Sequence, residues 1–170
     1  MLVLVALAAC QQAPNNAISP ERLPPSINPA DPAESQVKEA VLRAYRGMWQ
    51  DFASAARTAD WNAAELRDHA TGDALLILRH GLWLAHRNGE VIKGQPVLDP
   101  RITSLVPMPS PTKAKITDCV DDTDFRLRGK SSKPGKEDWP AGRHKTTAEL
   151  SLRKDAWYVT AFVLREAGTC

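Results

Sequence analysis

The chain has 170 residues and a formal net charge of +2 at pH 7. A length of this order suits one domain built around one hydrophobic core. A charge so close to zero excludes the strongly basic domain that nucleic-acid binding usually requires, so we expect no nucleic-acid partner.

An apolar stretch, residues 1–9, ends at Cys10. The stretch is too short to cross a bilayer as a helix, which takes about 20 residues. The sequence Leu7-Ala8-Ala9-Cys10 resembles the lipobox of secreted bacterial lipoproteins, in which the cysteine is lipidated through its sulfur. Residues 1–9 contain no Lys or Arg, which a signal peptide usually carries at its start, so we expect the native start to lie upstream of Met1.

The lipobox resemblance implies a division of the chain into three parts. Residues 1–9 are then a signal-peptide remnant, and Cys10 carries the lipid, with palmitate among its acyl groups. Residues 10–33 form a tether, because prolines favour an extended, hydrogen-bond-free chain; an ordered arm packed on the domain is the alternative. The prolines are Pro14, Pro20, Pro24, Pro25, Pro29 and Pro32. We expect a single domain over residues 34–170, held at the outer face of the bacterial cytoplasmic membrane.

Two further cysteines, Cys119 and Cys170, remain once Cys10 is lipidated. An even number of cysteines in an exported, oxidising compartment predicts a disulfide, and a bridge would tie down the terminal residue. Two free buried thiols and a metal pair are the alternatives. The chain has no CxxC spacing and no histidine cluster near these cysteines, so we expect no metal site and no cofactor.

Periodicity predicts three helices in the first half of the domain. Asp31 is a candidate N-cap for a helix of about 25 residues, whose apolar positions recur at three- and four-residue steps. Those positions are Val37, Val41, Ala44, Tyr45, Met48, Phe52 and Ala55. A short second helix begins near Asn62, and a third follows Thr71-Gly72-Asp73 and ends at Asn88-Gly89.

Beyond Gly89 the apolar period changes from 3.6 to 2, which indicates strands. We predict strands at residues 114–120, 125–127, 146–152 and 157–164. Lys154-Asp155 should join the last two in a tight hairpin, and residues 129–142 should form the long exposed loop of the preceding hairpin. The last strand is apolar on both faces, so we expect it to be central in the sheet or covered by a partner.

Three helices followed by antiparallel strands resemble the nuclear transport factor 2-like superfamily. The phrases Ala70–Leu75, Asp118–Asp122 and Arg165–Cys170 are similar to secreted actinobacterial lipoproteins of that superfamily. The resemblance spans about residues 33–170. It implies an α+β fold in which a cone-shaped, curved antiparallel sheet packs against three N-terminal helices, the cystatin-like cone roll, with a cavity between them. This fold hosts both enzymes and non-catalytic domains, so it does not decide the function.

An enzyme of this fold, such as a ketosteroid isomerase or polyketide cyclase, places a carboxylate or histidine base beside hydrogen-bond donors in its cavity. Three residues are candidates here. Tyr45 lies on the inward stripe of the first helix, His80 could act as a base, and Asp118 shares a strand face with Ile116 and Val120. The alternatives are a core tyrosine, a surface histidine and an aspartate bonded to the backbone. Together they do not match the isomerase's Tyr and Asp pattern.

A basic loop with one aromatic residue is a candidate contact surface. Its residues are Lys133, Lys136, Trp139 and Arg143. Such a loop can bind a protein partner or an anionic surface, and a merely solvated loop is the alternative.

We therefore expect a lipid-anchored, exported, non-catalytic module that binds a small apolar ligand or a protein partner. The alternative is a cavity enzyme of the ketosteroid isomerase or polyketide cyclase type acting on a small apolar substrate. An enzyme should show an open cavity with two convergent polar groups, such as Tyr45 and Asp118. An interaction module should show a filled or narrow cavity and an exposed apolar patch. The oligomeric state stays open, with a dimer among the options.

Overall fold

The computed structural model describes residues 32–129 and 141–170. In chain order these contain α1 (Pro32–Ala56), a 3-10 turn (Ala64–Arg67), α2 (Gly72–Arg87), β1 (Glu90–Lys93), β2 (Arg101–Val106), β3 (Lys113–Asp121), β4 (Arg126–Gly129), β5 (Arg143–Arg153) and β6 (Ala156–Ala167). The predicted lipidation site Cys10, the tether up to Asp31, and the loop residues Lys133, Lys136 and Trp139 lie outside the described residues.

The sheet is antiparallel and curved. Four strands follow the order β2-β3-β5-β6, and β1 pairs with β4 in a separate two-stranded sheet. The pairing register shifts once between β2 and β3 and twice between β5 and β6. Extra residues of this kind bend a strand and increase its twist. The expected α+β fold, a curved antiparallel sheet packed against N-terminal helices, is therefore confirmed, with the second expected helix reduced to one 3-10 turn.

The main core lies between α1 and the concave face of the four-stranded sheet. The inward stripe of α1 buries Val41, Ala44, Tyr45, Met48 and Trp49. The sheet supplies Ala114, Ile116, Val120, Ala148, Leu150, Trp157, Val159 and Phe162. Each large apolar side chain buried in this way contributes roughly 1.5–3 kcal/mol. Among the described helices none is both long and apolar enough to span a bilayer.

The hairpin between β5 and β6 turns at the two residues expected from the sequence. Lys154 and Asp155 have φ values of 47° and 68°. Positive φ at both central residues is the geometry of the two-residue turn whose twist matches that of the flanking strands.

The last strand, β6, was expected to be central in the sheet or covered by a partner, and a central position is wrong. It forms one edge of the four-stranded sheet. A register shift at Thr160 changes which residues face inward, so that Trp157 and Val159 are followed by Phe162 in the core. Residues that a strict two-residue alternation would assign to opposite faces of β6 thus lie largely on one inward face, because the bulge shifts the alternation by one residue. The outer edge of β6 is bonded through Val159 to the segment before α2.

The second correction concerns residues 129–142, which do not connect the two strands of a hairpin. β4 pairs with β1, placing Leu127 opposite Ile92, whereas β5 pairs with β3 and β6. Ile92 and Phe125 pack on a second cluster formed by the far ends of the two helices and the 3-10 turn. This packing holds β4 beside β1, so the segment links the two sheets.

Candidate functional site

Tyr45, Trp49 and Asp118 bring polar atoms together in the apolar interior, where β5 also buries His144 and Thr146. Tyr45 and Trp49 lie one turn apart on α1, and Asp118 projects from β3 on the same face as Ile116 and Val120. Tyr45 is 0% exposed and Asp118 is 3% exposed. The alternation along β3 therefore carries this carboxylate inward, and the periodicity of α1 carries the phenol toward it.

Asp118 is held by a backbone hydrogen bond. Its Oδ1 accepts from the Asp99 backbone N–H at 2.7 Å, which fastens the start of β2 to β3. Within the described residues, Asp118 Oδ2, Tyr45 Oη and Trp49 Nε1 complete no hydrogen bond of normal geometry. The Tyr45 hydroxyl is nevertheless close enough to the carboxylate for the two groups to influence each other's ionisation. A buried pair of this kind is sensitive to the loss of either partner.

Both pKa values move because the two groups are buried. Burial, joined by the negative charge of Asp118, raises the pKa of Tyr45 far above its ordinary range, so the phenol stays protonated. Burial also raises the pKa of Asp118, and the backbone N–H groups of Asp99 and Cys119 and the Tyr45 hydroxyl oppose the rise. The chemistry available is that of a neutral donor beside a carboxylate. Both side chains are almost wholly buried, Tyr45 completely and Asp118 nearly so.

The raised pKa of Asp118 predicts how stability depends on pH. Because the folded pKa lies above the ordinary value of 3.8, the folded protein binds the proton more tightly than the unfolded chain does. As pH rises from about 3.8 through the folded pKa, the wild type should lose stability relative to Asp118→Asn, and the difference should stay constant above that range. Urea unfolding of both proteins across the acid range measures the difference. A wild type that gains stability over the variant in this range would contradict the prediction.

His80 does not join this interior cluster. It lies on the exposed side of α2, where its ring stacks on Trp83 with centroids 5.8 Å apart. Of the three candidate residues, the structure therefore brings together Tyr45 and Asp118 and leaves His80 on the surface. Arg143, the described member of the candidate contact loop, is exposed at the first position of β5.

The disulfide predicted from the cysteine count is confirmed. Cys119 and Cys170 are bonded with their Cα atoms 6.0 Å apart. Two hydrogen bonds support the bridge, since Gly168 N donates to Arg143 O at 2.8 Å and Lys145 N donates to the side-chain Thr169 Oγ1 at 2.9 Å. The last residues are thus fastened across β5 to β3.

A groove open to solvent lies beside the disulfide, and the almost wholly buried Asp118 forms part of its wall. The groove has a volume of about 470 Å³. Its lining residues are Asp99, Arg101, Thr103, Thr117, Asp118, Cys119, Lys145, Thr169 and Cys170. Asp99 and Arg101 form an exposed ion pair of 3.2 Å, so the groove carries both signs of charge. An open groove with mixed charge at its rim offers little discrimination between ligands.

Two histidine–aspartate pairs were not found from the sequence. His69 Nδ1 lies 2.7 Å from Asp51 Oδ2, and the ring packs so closely on Gly47 that a Cβ there would lie 2.6 Å from it. Buried His144 has Nε2 3.2 Å from Asp122 Oδ1 and Nδ1 2.8 Å from the Arg165 carbonyl.

Both pairs join elements distant in sequence, so no local spacing signals them. The first pair connects the segment before α2 to α1. In the second, His144 at the start of β5 also contacts the Arg165 carbonyl of β6. Burial raises the pKa of Asp51, and the neighbouring His69 opposes the rise. Among the described residues, no group of three or more histidine, cysteine or carboxylate side chains is arranged to hold a metal ion.

An apolar patch covers the solvent side of α2. Leu76 is 64% exposed and Trp83 is 37% exposed, and Ile77 and Leu84 lie beside them. The opposite side of the helix buries Ala74, Leu78, Leu82 and Ala85. A helix that is apolar on two faces carries more apolar surface than its own fold requires.

No family model and no curated protein matches the chain. Solved structures do resemble it. The intermembrane space region of the chloroplast protein ARC6 aligns with 82% of this chain and 100% of its own, at 16% identity and a TM-score of 0.46. A protein of unknown function with a cystatin-like fold from Nostoc punctiforme aligns with 78% of this chain and 92% of its own, at 7% identity and a TM-score of 0.45. An NTF-2 like protein of unknown function from Silicibacter pomeroyi aligns with 78% of this chain and 98% of its own, at 11% identity and a TM-score of 0.43. These similarities concern the arrangement of helices and strands, not a function.

Proposed function

We propose that this protein is a lipid-anchored extracytoplasmic module of the nuclear transport factor 2-like superfamily, and that it works by binding rather than by catalysis. Cys10 carries the lipid, the residues between it and α1 are the tether, and the single domain, which begins with α1 at Pro32, lies on the outer face of the cytoplasmic membrane. The observation that supports a non-catalytic role is the burial of Tyr45 and Asp118, the two polar groups that an interior active site would use.

The location is supported by the disulfide between Cys119 and Cys170. Such bonds persist in oxidising, extracytoplasmic compartments and are rare in the cytosol. The lipobox at residues 7–10 supplies the independent argument for a lipid anchor. The three phrases similar to secreted actinobacterial lipoproteins fall on the segment leading into α2, on β3 and on the disulfide-bonded C-terminus.

The ligand is more consistent with a protein surface than with a small molecule in the cone. The interior around Tyr45 is packed by Val41, Met48 and Ile116 in one continuous core. The exposed face of α2 supplies the apolar patch that an interaction module needs. One feature supports a cavity enzyme, the approach of Tyr45 to Asp118, but Tyr45 is fully buried and Asp118 nearly so, which leaves little room for a substrate beside them.

Anchoring is tested by replacing Cys10. Expressed from its own gene in the bacterium that carries it, the wild type should incorporate an alkyne-tagged palmitate and sediment with membranes. Cys10→Ser should lose both properties, because the acylated sulfur is gone. Gln11→Ser is the matched control and should behave as wild type. Palmitate labelling that persists in Cys10→Ser would overturn the anchor.

Native mass spectrometry of the full chain, exported and oxidised, tests the binding role. We expect the chain to emerge without a small molecule, and lighter than the reduced chain by the mass of two hydrogens. The filled interior is the reason for the first expectation and the disulfide for the second. A small molecule retained at stoichiometric occupancy would contradict the closed interior, and its chemical class would separate a carrier from an enzyme.

A further inference from the structure

The exposed face of α2 has an ordered arrangement of charge. Going along the helix, this face carries Asp73, Leu76, Ile77, His80, Trp83, Leu84 and Arg87, all exposed. Residues 73, 76, 80, 83 and 87 follow three- and four-residue steps, which place them in one row. The row therefore has a carboxylate at its start, a guanidinium at its end, and His80 with apolar side chains between them.

This row is separate from the part of α2 that packs on the domain. The buried positions Ala74, Leu78, Leu82 and Ala85 lie on the opposite side of the helix. The remaining basic residue of the middle turns, Arg79, is directed elsewhere, since its side chain donates to the Trp61 carbonyl and the Asn62 side chain. Asp73, His80 and Arg87 are thus the titratable side chains of the row.

We propose that this face binds the same face of a second copy of the chain, with the two α2 helices antiparallel about a two-fold axis near His80. A face whose opposite ends carry opposite charges is complementary to itself only in the antiparallel arrangement. Asp73 then meets the partner's Arg87, and Leu76 meets the partner's Leu84. Both contacts are formed twice, as a two-fold interface requires.

In the single chain, the Trp83 side chain at the centre of the row is already held by its neighbours. The His80 ring stacks on Trp83, and the Arg87 guanidinium lies 5.4 Å from the centre of the Trp83 ring. These neighbours restrict the indole before association, which lowers the entropy lost when it becomes buried. Aromatic side chains held in the middle of an apolar patch and bordered by charges are typical of the residues that dominate interface energies.

The charges distinguish this occupant from a lipid surface. A helix that lies on a membrane usually has several Lys or Arg residues beside its apolar face. The α2 row has one acidic and one basic residue, at opposite ends. That pattern suits an identical antiparallel helix better than an anionic bilayer.

Charge reversal in the full chain tests the proposal, with Cys10→Ser as the common background to remove the lipid. Sedimentation velocity over a concentration series should show a reversible dimer. Asp73→Arg and Arg87→Asp should each raise the dimer Kd by about tenfold or more, because two attractive pairs become repulsive. The double variant Asp73→Arg/Arg87→Asp should restore the dimer, since the two charges have exchanged places.

Two further variants distinguish a loss of the dimer from a loss of the folded structure. Glu39→Arg makes the same charge change on α1, away from the row, and should leave the dimer Kd unchanged. Leu84→Asp should abolish the dimer while circular dichroism shows an unchanged fold, since this side chain is exposed.

Three results would overturn the proposal. One is a chain that stays monomeric at all concentrations, and another is a dimer indifferent to the single reversals. The third is a double variant that does not recover. Cosedimentation of a monomer with anionic phosphatidylglycerol vesicles, lost in Leu84→Asp, would assign the face to the membrane instead.

Discussion

Replacing Cys119 and Cys170 together by serine is expected to lower the free energy of unfolding by about 4 kcal/mol. The bridge closes a loop with a sequence separation of 51, and opening it returns conformational freedom to the unfolded chain. The last residues should also fray in the folded state, because the bonds of Gly168 and Thr169 to β5 are then their main attachment. Urea unfolding of the full chain measures the change.

Cys10→Ser is the matched control for this double substitution, since it removes a thiol outside the bridge. It should leave the free energy of unfolding unchanged. A loss below about 1 kcal/mol in the double variant would show that the backbone bonds alone hold the C-terminus and would contradict the entropic argument.

The second large effect is expected for Asp118→Ala, which should lower the free energy of unfolding by about 2–3 kcal/mol. The alanine leaves the Asp99 N–H without its acceptor and removes the carboxylate that faces the Tyr45 hydroxyl. A hydrogen bond to a charged acceptor contributes roughly 1.5–3 kcal/mol, which accounts for a loss of this size. Thermal or urea unfolding at neutral pH measures it.

Asp118→Asn separates the hydrogen bond from the charge. The amide keeps an acceptor oxygen for the Asp99 N–H and removes the buried negative charge, so its loss should be clearly smaller than that of the alanine variant. Equal losses in the two variants would show that the carboxylate charge, rather than the acceptor, holds this part of the core.

Local sequence patterns predicted the parts of the site that depend on one element at a time. The three- and four-residue period of α1 carries Tyr45 inward, and the two-residue period of β3 does the same for Asp118. Each inward direction follows from the geometry of a single helix or strand. To predict that Tyr45 and Asp118 come close to each other, one further assumption was enough, namely that α1 packs on this sheet.

Features that join distant segments were not predictable in the same way. His69 meets Asp51 across 18 residues, and β4 pairs with β1 rather than with the strand that follows it. The bulge at Thr160 changes which residues of β6 face inward. An edge strand therefore has apolar residues at the alternating positions of both faces, a pattern typical of a central strand. Long-range packing decided these features, because the neighbours involved have no fixed spacing along the chain.

By itself, then, the sequence determined that helices precede strands, favoured a bridge between Cys119 and Cys170, and indicated the inward positions of Tyr45 and Asp118. These follow from periodicity and from the number of cysteines, which are properties of short segments or of composition. Only the tertiary structure decided that β6 lies at an edge, that the interior polar groups are almost wholly buried and that α2 keeps a second apolar face. Burial is the common physical reason, because it depends on which surfaces other segments cover.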